Sequence, residues 1–189
     1  MERHLDLNFE KVTKENFTTA VGVQHAIFPE EHGDKEIAQA VGNVPHDPLF
    51  ASRDLWLARL DCGELVGILG LYSYKEYQSD AWLDWFGILP KHRSNGYGNI
   101  LLEYAKKKAA EHDFESLRLW TDDMDNSGAV AFYQRVGFDL EVYTNNLDPH
   151  YQTGNTVILS IGFGGKPSKK WDNKNIYLKQ FYHNVLGRK

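Results

Sequence analysis

The stretch Trp85-Phe-Gly-Ile-Leu-Pro-Lys-His-Arg-Ser-Asn-Gly-Tyr-Gly-Asn99 holds the residue types and spacing best suited to chemistry. It reads as a strand closed by Pro90, a turn with two glycines, and the opening of a helix. The first N–H groups of a helix have no partner within it, and the helix dipole puts partial positive charge there. Gly96 and Gly98 let the backbone approach an anion because no side chain intrudes. Arg93 adds a charged donor beside the same place. Together these suit a phosphate or a diphosphate. The spacing matches neither the dinucleotide fingerprint nor the P-loop, whose Gly-Lys-Ser/Thr ending is missing. Taken alone, a glycine pair before a helix is more often a plain turn.

The elements around this loop follow from periodicity. Phe9 to Thr13 reads as a short strand, with Thr13 capping a helix over 16–27 whose apolar face carries Phe17, Ala20, Val21 and Ile27. Pro29 ends that helix, and a second short one runs from Asp34, its cap, to Val41. Residues 42–54, with Pro45 and Pro48, read as a loop. Leu55–Leu60 and Leu65–Tyr74 are strands joined by a hairpin at Asp61-Cys-Gly-Glu64. Ala81 to Leu89 is a third strand, and Gly96 to His112 a helix with a Glu103–Lys107 pair on its outer side. Ser116–Thr121 is a short strand. Asn126 caps a helix whose buried positions are Ala129, Phe132, Tyr133 and Val136, and Gly137 closes it. Phe138–Tyr143 and Thr156–Ile161 complete the strands. This order implies an α/β fold with a mixed sheet.

Bulk properties narrow the function classes. A chain of 189 residues, 42% hydrophobic and 25% charged, is long enough for one well-filled globular domain without a staple. Cys62 is the single cysteine, so neither an internal disulfide nor a cysteine zinc site is expected. His25 and His32 stand at no ligand spacing with another candidate, and no metal site is read. The polar N-terminus and the lack of a long apolar run point to a cytoplasmic protein. Net charge is −5, with +6 gathered from Gly162 onward and −11 on the remainder. An acidic body disfavours nucleic acid and a membrane surface, and attracts cationic ligands.

About 30 residues beyond the loop comes Asn126-Ser-Gly-Ala-Val-Ala-Phe-Tyr-Gln-Arg-Val-Gly-Phe138. The Arg-x-x-Gly-x-Gly loop on a strand–loop–helix, followed by an Asn-x-x-Ala-x-x-Phe-Tyr-x-x-x-Gly-Phe helix, resembles the GCN5-related N-acetyltransferase (GNAT) family. The resemblance is firm from about Leu55 to Tyr143, looser at the N-terminal helices, and absent over the last 25 or so residues. It implies a GNAT fold: a mixed, mostly antiparallel six- to seven-stranded sheet flanked by about four helices. Residues 1–163 would form that domain, and 164–189 a basic C-terminal extension.

The resemblance also implies acetyl-coenzyme A as acyl donor. Its pantetheine arm would lie along Phe86, Gly87 and Ile88, with Gly87 at a strand bulge. Its diphosphate would sit on the amides of Ser94, Asn95, Gly96, Tyr97, Gly98 and Asn99 beside Arg93, with Asn126 against the arm. Tyr133 matches the family's tyrosine near the sulfur and would protonate or hydrogen-bond the leaving thiolate. A free alkyl ammonium must lose a proton before it attacks, and Asp84 is the candidate base. Relatives often carry Glu on this strand. Alternation back from Ile88 puts Phe86, Asp84 and Trp82 on one face.

The acceptor end is less defined. Glu30 and Glu31, with Asp34 close by, would draw in a cationic amine, or would be a solvated turn. The expected activity is N-acetylation of a small-molecule primary amine such as a polyamine or amino acid derivative. The alternatives are acetylation of protein N-termini or lysines, and a non-enzymatic acyl-coenzyme A sensor. For the tail, packing on the domain, covering the acceptor site and homodimerisation stay open.

Overall fold

The computed structural model describes residues 6–122, 127–143 and 156–171. The elements are β1 (Asn8–Lys11), α1 (Phe17–Ile27), α2 (Asp34–Ala40), β2 (Phe50–Arg59), β3 (Leu65–Tyr74), β4 (Tyr77–Ile88), α3 (Tyr97–Glu111), β5 (Ser116–Asp122), α4 (Ser127–Arg135), β6 (Asp139–Val142) and β7 (Thr156–Gly162). Seven strands form one sheet in the order β1-β2-β3-β4-β5-β7-β6. The pairs β1–β2, β2–β3, β3–β4 and β6–β7 are antiparallel. The chain divides into two compact units, Met1–Leu117 and Arg118–Lys189, with the boundary inside β5.

In the first unit, strand alternation sorts side chains onto the two sheet faces. Leu55 and Leu57 of β2 turn toward a core with Ala20, Val23 and Ile27 of α1 and Ile37 of α2. Trp56, between them, meets Tyr104 of α3 on the other face, with ring centroids 5.9 Å apart. Phe9 of β1 stacks on the same Tyr104 at 3.7 Å. A third aromatic group, Phe50, Tyr72, Tyr74 and Trp82, packs edge-to-face and stacked along β2, β3 and β4.

Several expectations need correcting. Asn16, not Thr13, stands at the N-cap of α1, and its Oδ1 accepts from the Thr13 N–H at 2.8 Å. Gly33 caps α2, and Asp34 is its first residue. β2 starts five residues earlier than its apolar run, so Arg53 and Asp54 are strand residues. β4 starts at Tyr77, not Ala81. The polar run Gln78-Ser-Asp80 hides that strand's beginning, yet Asp80 is buried. On α4 the buried positions are Val130 and Tyr133; Ala129 is exposed, and Phe132 and Val136 are half-buried. Glu103 pairs with Lys106 at 2.9 Å instead of Lys107. Gly137 does take the left-handed conformation, with φ 93°.

In the second unit, β6 and β7 pair from Asp139–Ser160 to Val142–Val157. Arg118 is buried and donates to Ser160 Oγ and to the Lys169 carbonyl, both at 2.8 Å. The Trp171 N–H donates to Glu141 Oε1 at 2.9 Å. The first residues after β7 are therefore laid across this unit. Residues 172–189 lie outside the described residues.

Candidate active site

β4 carries an irregularity that sets the geometry of the site. Gly70 pairs with Asp84 and Ile68 with Gly87, so Trp85 and Phe86 of β4 face only Leu69 of β3. This is a bulge, one extra residue on β4. Trp85 takes φ 41°, in the left-handed region that a bulky residue seldom enters. The bulge shifts the strand's parity. Trp82 and Asp84 share a face with Gly87, and Phe86 leaves it, which corrects the alternation read back from Ile88. The bulge is thus centred on Trp85 and Phe86. Gly87 has its own constraint: a Cβ there would meet Ile27 Cγ2 at 2.5 Å and Phe28 Cζ at 3.0 Å, so α1 presses onto the strand.

Beyond Leu89, a single 3-10 turn (Pro90–His92) leads into the loop. Ser94 and Gly96 have φ 63° and 84°. The N–H groups of Ser94, Asn95, Gly96, Tyr97 and Gly98 make no hydrogen bond among the described residues. The Asn99 N–H, grouped with them on sequence, instead donates to the Gly96 carbonyl at 3.1 Å. Five successive amides without partners, at the start of a fifteen-residue helix, are donors of the kind that suits an anion. The loop is braced from behind. Arg93 donates through Nε to the Ile88 carbonyl at 3.1 Å and through Nη2 to the Ile27 carbonyl at 3.5 Å. Asn95 Nδ2 donates to the carbonyls of His92 and Arg93. Arg93 thus acts as a strut from the loop to the carbonyls of Ile88 and Ile27.

Asp84 is 12% exposed and stands 3.1 Å from Arg53 Nε. That distance pairs charges, but the two atoms are misaligned for a hydrogen bond. Burial raises the Asp84 pKa above the usual carboxylate range, against the opposing pull of Arg53 and of the Trp85 N–H. Arg53 also donates to Gln39 Oε1 at 3.0 Å and lies over the Phe50 ring at 4.5 Å. Glu36 of α2 belongs to the same group: burial raises its pKa, and the Asp84 charge raises it further. Its Oε2 is buried without a hydrogen-bond partner. Two acids with raised pKa around one buried arginine form the most unusual electrostatic feature of the first unit.

Glu30 is exposed and Glu31 half-buried in the α1–α2 loop. The same loop brings together His25, His32 and Asp34, which their sequence spacing does not suggest. In the second unit Tyr133 is 5% exposed on α4, with its ring centroid 5.2 Å from that of Phe138. Burial pushes its phenol well above the ordinary tyrosine pKa. Asn126 lies outside the described residues.

The model of the Acetyltransferase (GNAT) family matches residues 23–138, more than half the chain. The chain belongs to the GNAT acetyltransferase family. A search of curated proteins found no match. Among solved structures, the Escherichia coli ribosomal-protein-S18-alanine N-acetyltransferase matches with TM-score 0.61 and 14% identity, over 91% of this chain and 99% of that one. A GNAT acetyltransferase from Elizabethkingia anophelis with acetyl-CoA bound matches with TM-score 0.60 and 17% identity, over 82% and 97%. The spermidine N-acetyltransferase of Vibrio cholerae, in complex with CoA and spermine, matches with TM-score 0.61 and 16% identity, over 82% and 95%. The seven-stranded sheet with four helices is the GNAT fold. As a GNAT protein the chain is an acyltransferase that uses acetyl-coenzyme A. No helix among the described residues is long and apolar enough to cross a membrane.

For this GNAT protein, sequence reasoning missed Arg53 and Glu36. The signal was faint: Arg53 lay in an assumed loop, and Glu36 looked like an ordinary first-turn acid of a helix. Their coupling gives a testable consequence. In the folded chain Glu36 and Asp84 hold their protons to a higher pH than when unfolded. Their contribution to stability is full below the unfolded carboxylate values and is lost as pH rises through the folded ones. Glu36→Gln removes one of the two groups. It should raise the melting temperature at pH 7 and change it little near about pH 4, where the unfolded group is itself protonating. Thermal denaturation at both pH values checks this; equal shifts would show that the charge is not the cause.

Proposed function

We propose that the protein transfers an acetyl group from acetyl-coenzyme A to the primary amine of a small molecule by direct attack on the thioester. The observation that carries the binding half is the run of free amides from Ser94 to Gly98 behind a bulged strand. Those amides would hold the diphosphate, braced by Arg93. Phe86, Gly87 and Ile88 would line the pantetheine arm, with Asn126 against it. Acetyl-coenzyme A supplies an acyl group already activated as a thioester.

Asp84 acts as the base. Burial raises its pKa, which makes it a stronger proton acceptor than an exposed carboxylate, while Arg53 pulls toward the ionised form. Glu36 lies within electrostatic reach of Asp84, and its carboxyl would gain from a cationic acceptor beside it. Glu30 and Glu31 add negative charge along the loop, toward polyamines or amino acid derivatives carrying an ammonium group. Tyr133 matches, by its place in the motif, the family's tyrosine for the leaving sulfur. Even at ordinary values, ~10 for a phenol and ~8.5 for a thiol, full proton transfer is uphill by about 2 kcal/mol. Burial lifts the phenol further, so Tyr133 works as a hydrogen-bond donor to the departing thiolate. Tyr133→Phe should lower kcat roughly 10- to 100-fold with acetyl-coenzyme A affinity kept, the scale of one hydrogen bond to a charged group, about 1.5–3 kcal/mol; single-turnover rates and calorimetry check it.

The proposal is tested by calorimetric titration with acetyl-coenzyme A, followed by a thiol-release assay over a panel of polyamines, amino acids and peptides. Turnover on small amines supports it. Turnover on peptide N-termini alone would shift the acceptor class, and binding without turnover on any amine would leave an acyl-coenzyme A sensor.

A further inference from the structure

The α1–α2 connection brings together three side chains with metal-binding chemistry. His25 comes from the last turn of α1, His32 from the loop, and Asp34 from the first position of α2. His25 Nε2 lies 2.9 Å from Asp34 Oδ2, and the His25 and His32 rings meet edge-on at 6.0 Å. One ligand atom from each of the three lies within 4.8 Å of the others. Around a tetrahedral Zn²⁺ with ligands at ~2.0–2.1 Å, donor atoms stand roughly 3.3 Å apart. Small side-chain rotations close the difference. His32 makes no hydrogen bond among the described residues that would oppose such a rotation.

The backbone under these three is held firmly. Gln24, fully buried in α1, accepts the Gly33 N–H at 3.2 Å and donates to the Glu31 carbonyl at 3.3 Å. Those two bonds flank His32 on either side. Gly33 lies so close to β4 that a Cβ would meet Trp85 Cε2 at 2.7 Å and Gln24 Cδ at 2.9 Å. His32 is therefore presented from a clamped loop, between a ligand on one helix and a ligand on the next. Prior fixing of ligand-bearing backbone is what a pre-formed metal site needs.

We propose that His25, His32 and Asp34 form a binding site for a borderline divalent transition metal, with Zn²⁺ as the type case. Two imidazoles and one carboxylate suit Zn²⁺, Co²⁺, Ni²⁺ or Cu²⁺ over Mg²⁺ and Ca²⁺, which favour all-oxygen sets. Three protein ligands leave a fourth position for water. Bound there, the ion ties the end of α1 to the start of α2, over the loop that packs on Trp85. Its ligands include neither Asp84, Tyr133 nor the loop amides, although it shares the α1–α2 loop with Glu30 and Glu31, and metal binding does not depend on the acetyl-transfer reading.

The test uses full-length protein without a histidine tag, stripped with a chelator. Zn²⁺ is titrated in competition with a chromophoric chelator, and Co²⁺ is followed by its visible absorption. The expected result is one equivalent of Zn²⁺ per chain, a four-coordinate Co²⁺ band, and a rise in melting temperature with Zn²⁺. His25→Ala and His32→Ala should each weaken affinity at least ~10-fold, the least that loss of even an outer partner costs. His46→Ala and His112→Ala should leave it unchanged. Should either ligand variant misfold, Asp34→Asn, equal in size and exposed, carries the same comparison. No competitive binding, or binding unaltered in the ligand variants, would reduce the cluster to a histidine–aspartate ion pair and overturn the proposal.

Discussion

Asp84→Asn lowers kcat/KM for the acceptor amine by roughly 100- to 10,000-fold, the range over which a positioned base contributes, while acetyl-coenzyme A binds as before. Asparagine keeps the size of the side chain and removes the acceptor charge. An alkyl ammonium with pKa ~10.4 offers almost no free amine at neutral pH, so without a base the reaction depends on that small fraction. The pH profile separates this role from a structural one. In the native protein kcat/KM should rise through a pKa above the usual carboxylate range, because burial raises Asp84. In the variant that limb should vanish, and activity should climb only toward the amine's own pKa. Asp84 is also the partner of Arg53 at 3.1 Å, so acetyl-coenzyme A affinity and circular dichroism serve as checks on folding. A variant that keeps most of its activity with the same pH limb would remove Asp84 from the proton path.

The fold was largely legible because its elements announce themselves by period and punctuation. The β-rich apolar run Leu65–Tyr74, the helical spacing of Leu101, Ala105 and Ala109, and Gly137 after α4 all declare local structure. The starts of β2 and β4 were not legible. There the strand holds buried charged residues, Arg53 in one and Asp80 in the other, and Arg53 meets Gln39 and Asp84 of other elements. Propensity counts such residues as loop formers; tertiary pairing overrides it.

The run of unbonded amides from Ser94 to Gly98 was legible in outline, since glycines before a helix imply exposed amides. That Arg93 would brace the loop through the carbonyls of Ile88 and Ile27 was not, because one partner is 66 positions away. The parity of β4 failed for a sharper reason. Counting by twos holds until one residue is inserted, and a bulge at Trp85–Phe86 leaves no mark in the composition of the strand. The single extra residue decides whether Asp84 shares a face with Phe86 or with Gly87. Likewise His25, His32 and Asp34 lie on no single helix or strand. Only the turn between α1 and α2, clamped by Gln24, brings them together.

Gly96→Asp should weaken acetyl-coenzyme A binding by roughly 100- to 1,000-fold, and a comparison with Gly96→Asn says why. Gly96 holds φ 84° at the N-cap of α3. Most residues pay about 1–2 kcal/mol there, but Asn and Asp visit this region more readily and nearly alike. The strain is thus matched between the two variants, as is side-chain size. What differs is one negative charge among the five free amides. Two unit charges ~4 Å apart repel by about 4 kcal/mol at an effective dielectric near 20, equivalent to nearly a thousandfold in affinity. Gly96→Asn should therefore lose no more than about tenfold, and Gly96→Asp far more. The gap between them should narrow as salt is raised, since ions screen a partly exposed pair. Calorimetric titration of both variants at low and high salt measures each quantity. Equal losses for Asn and Asp would mean that the backbone, and not the anion, sets the requirement for glycine. Native affinity in both would place the diphosphate away from these amides, and the run would then be an ordinary helix start.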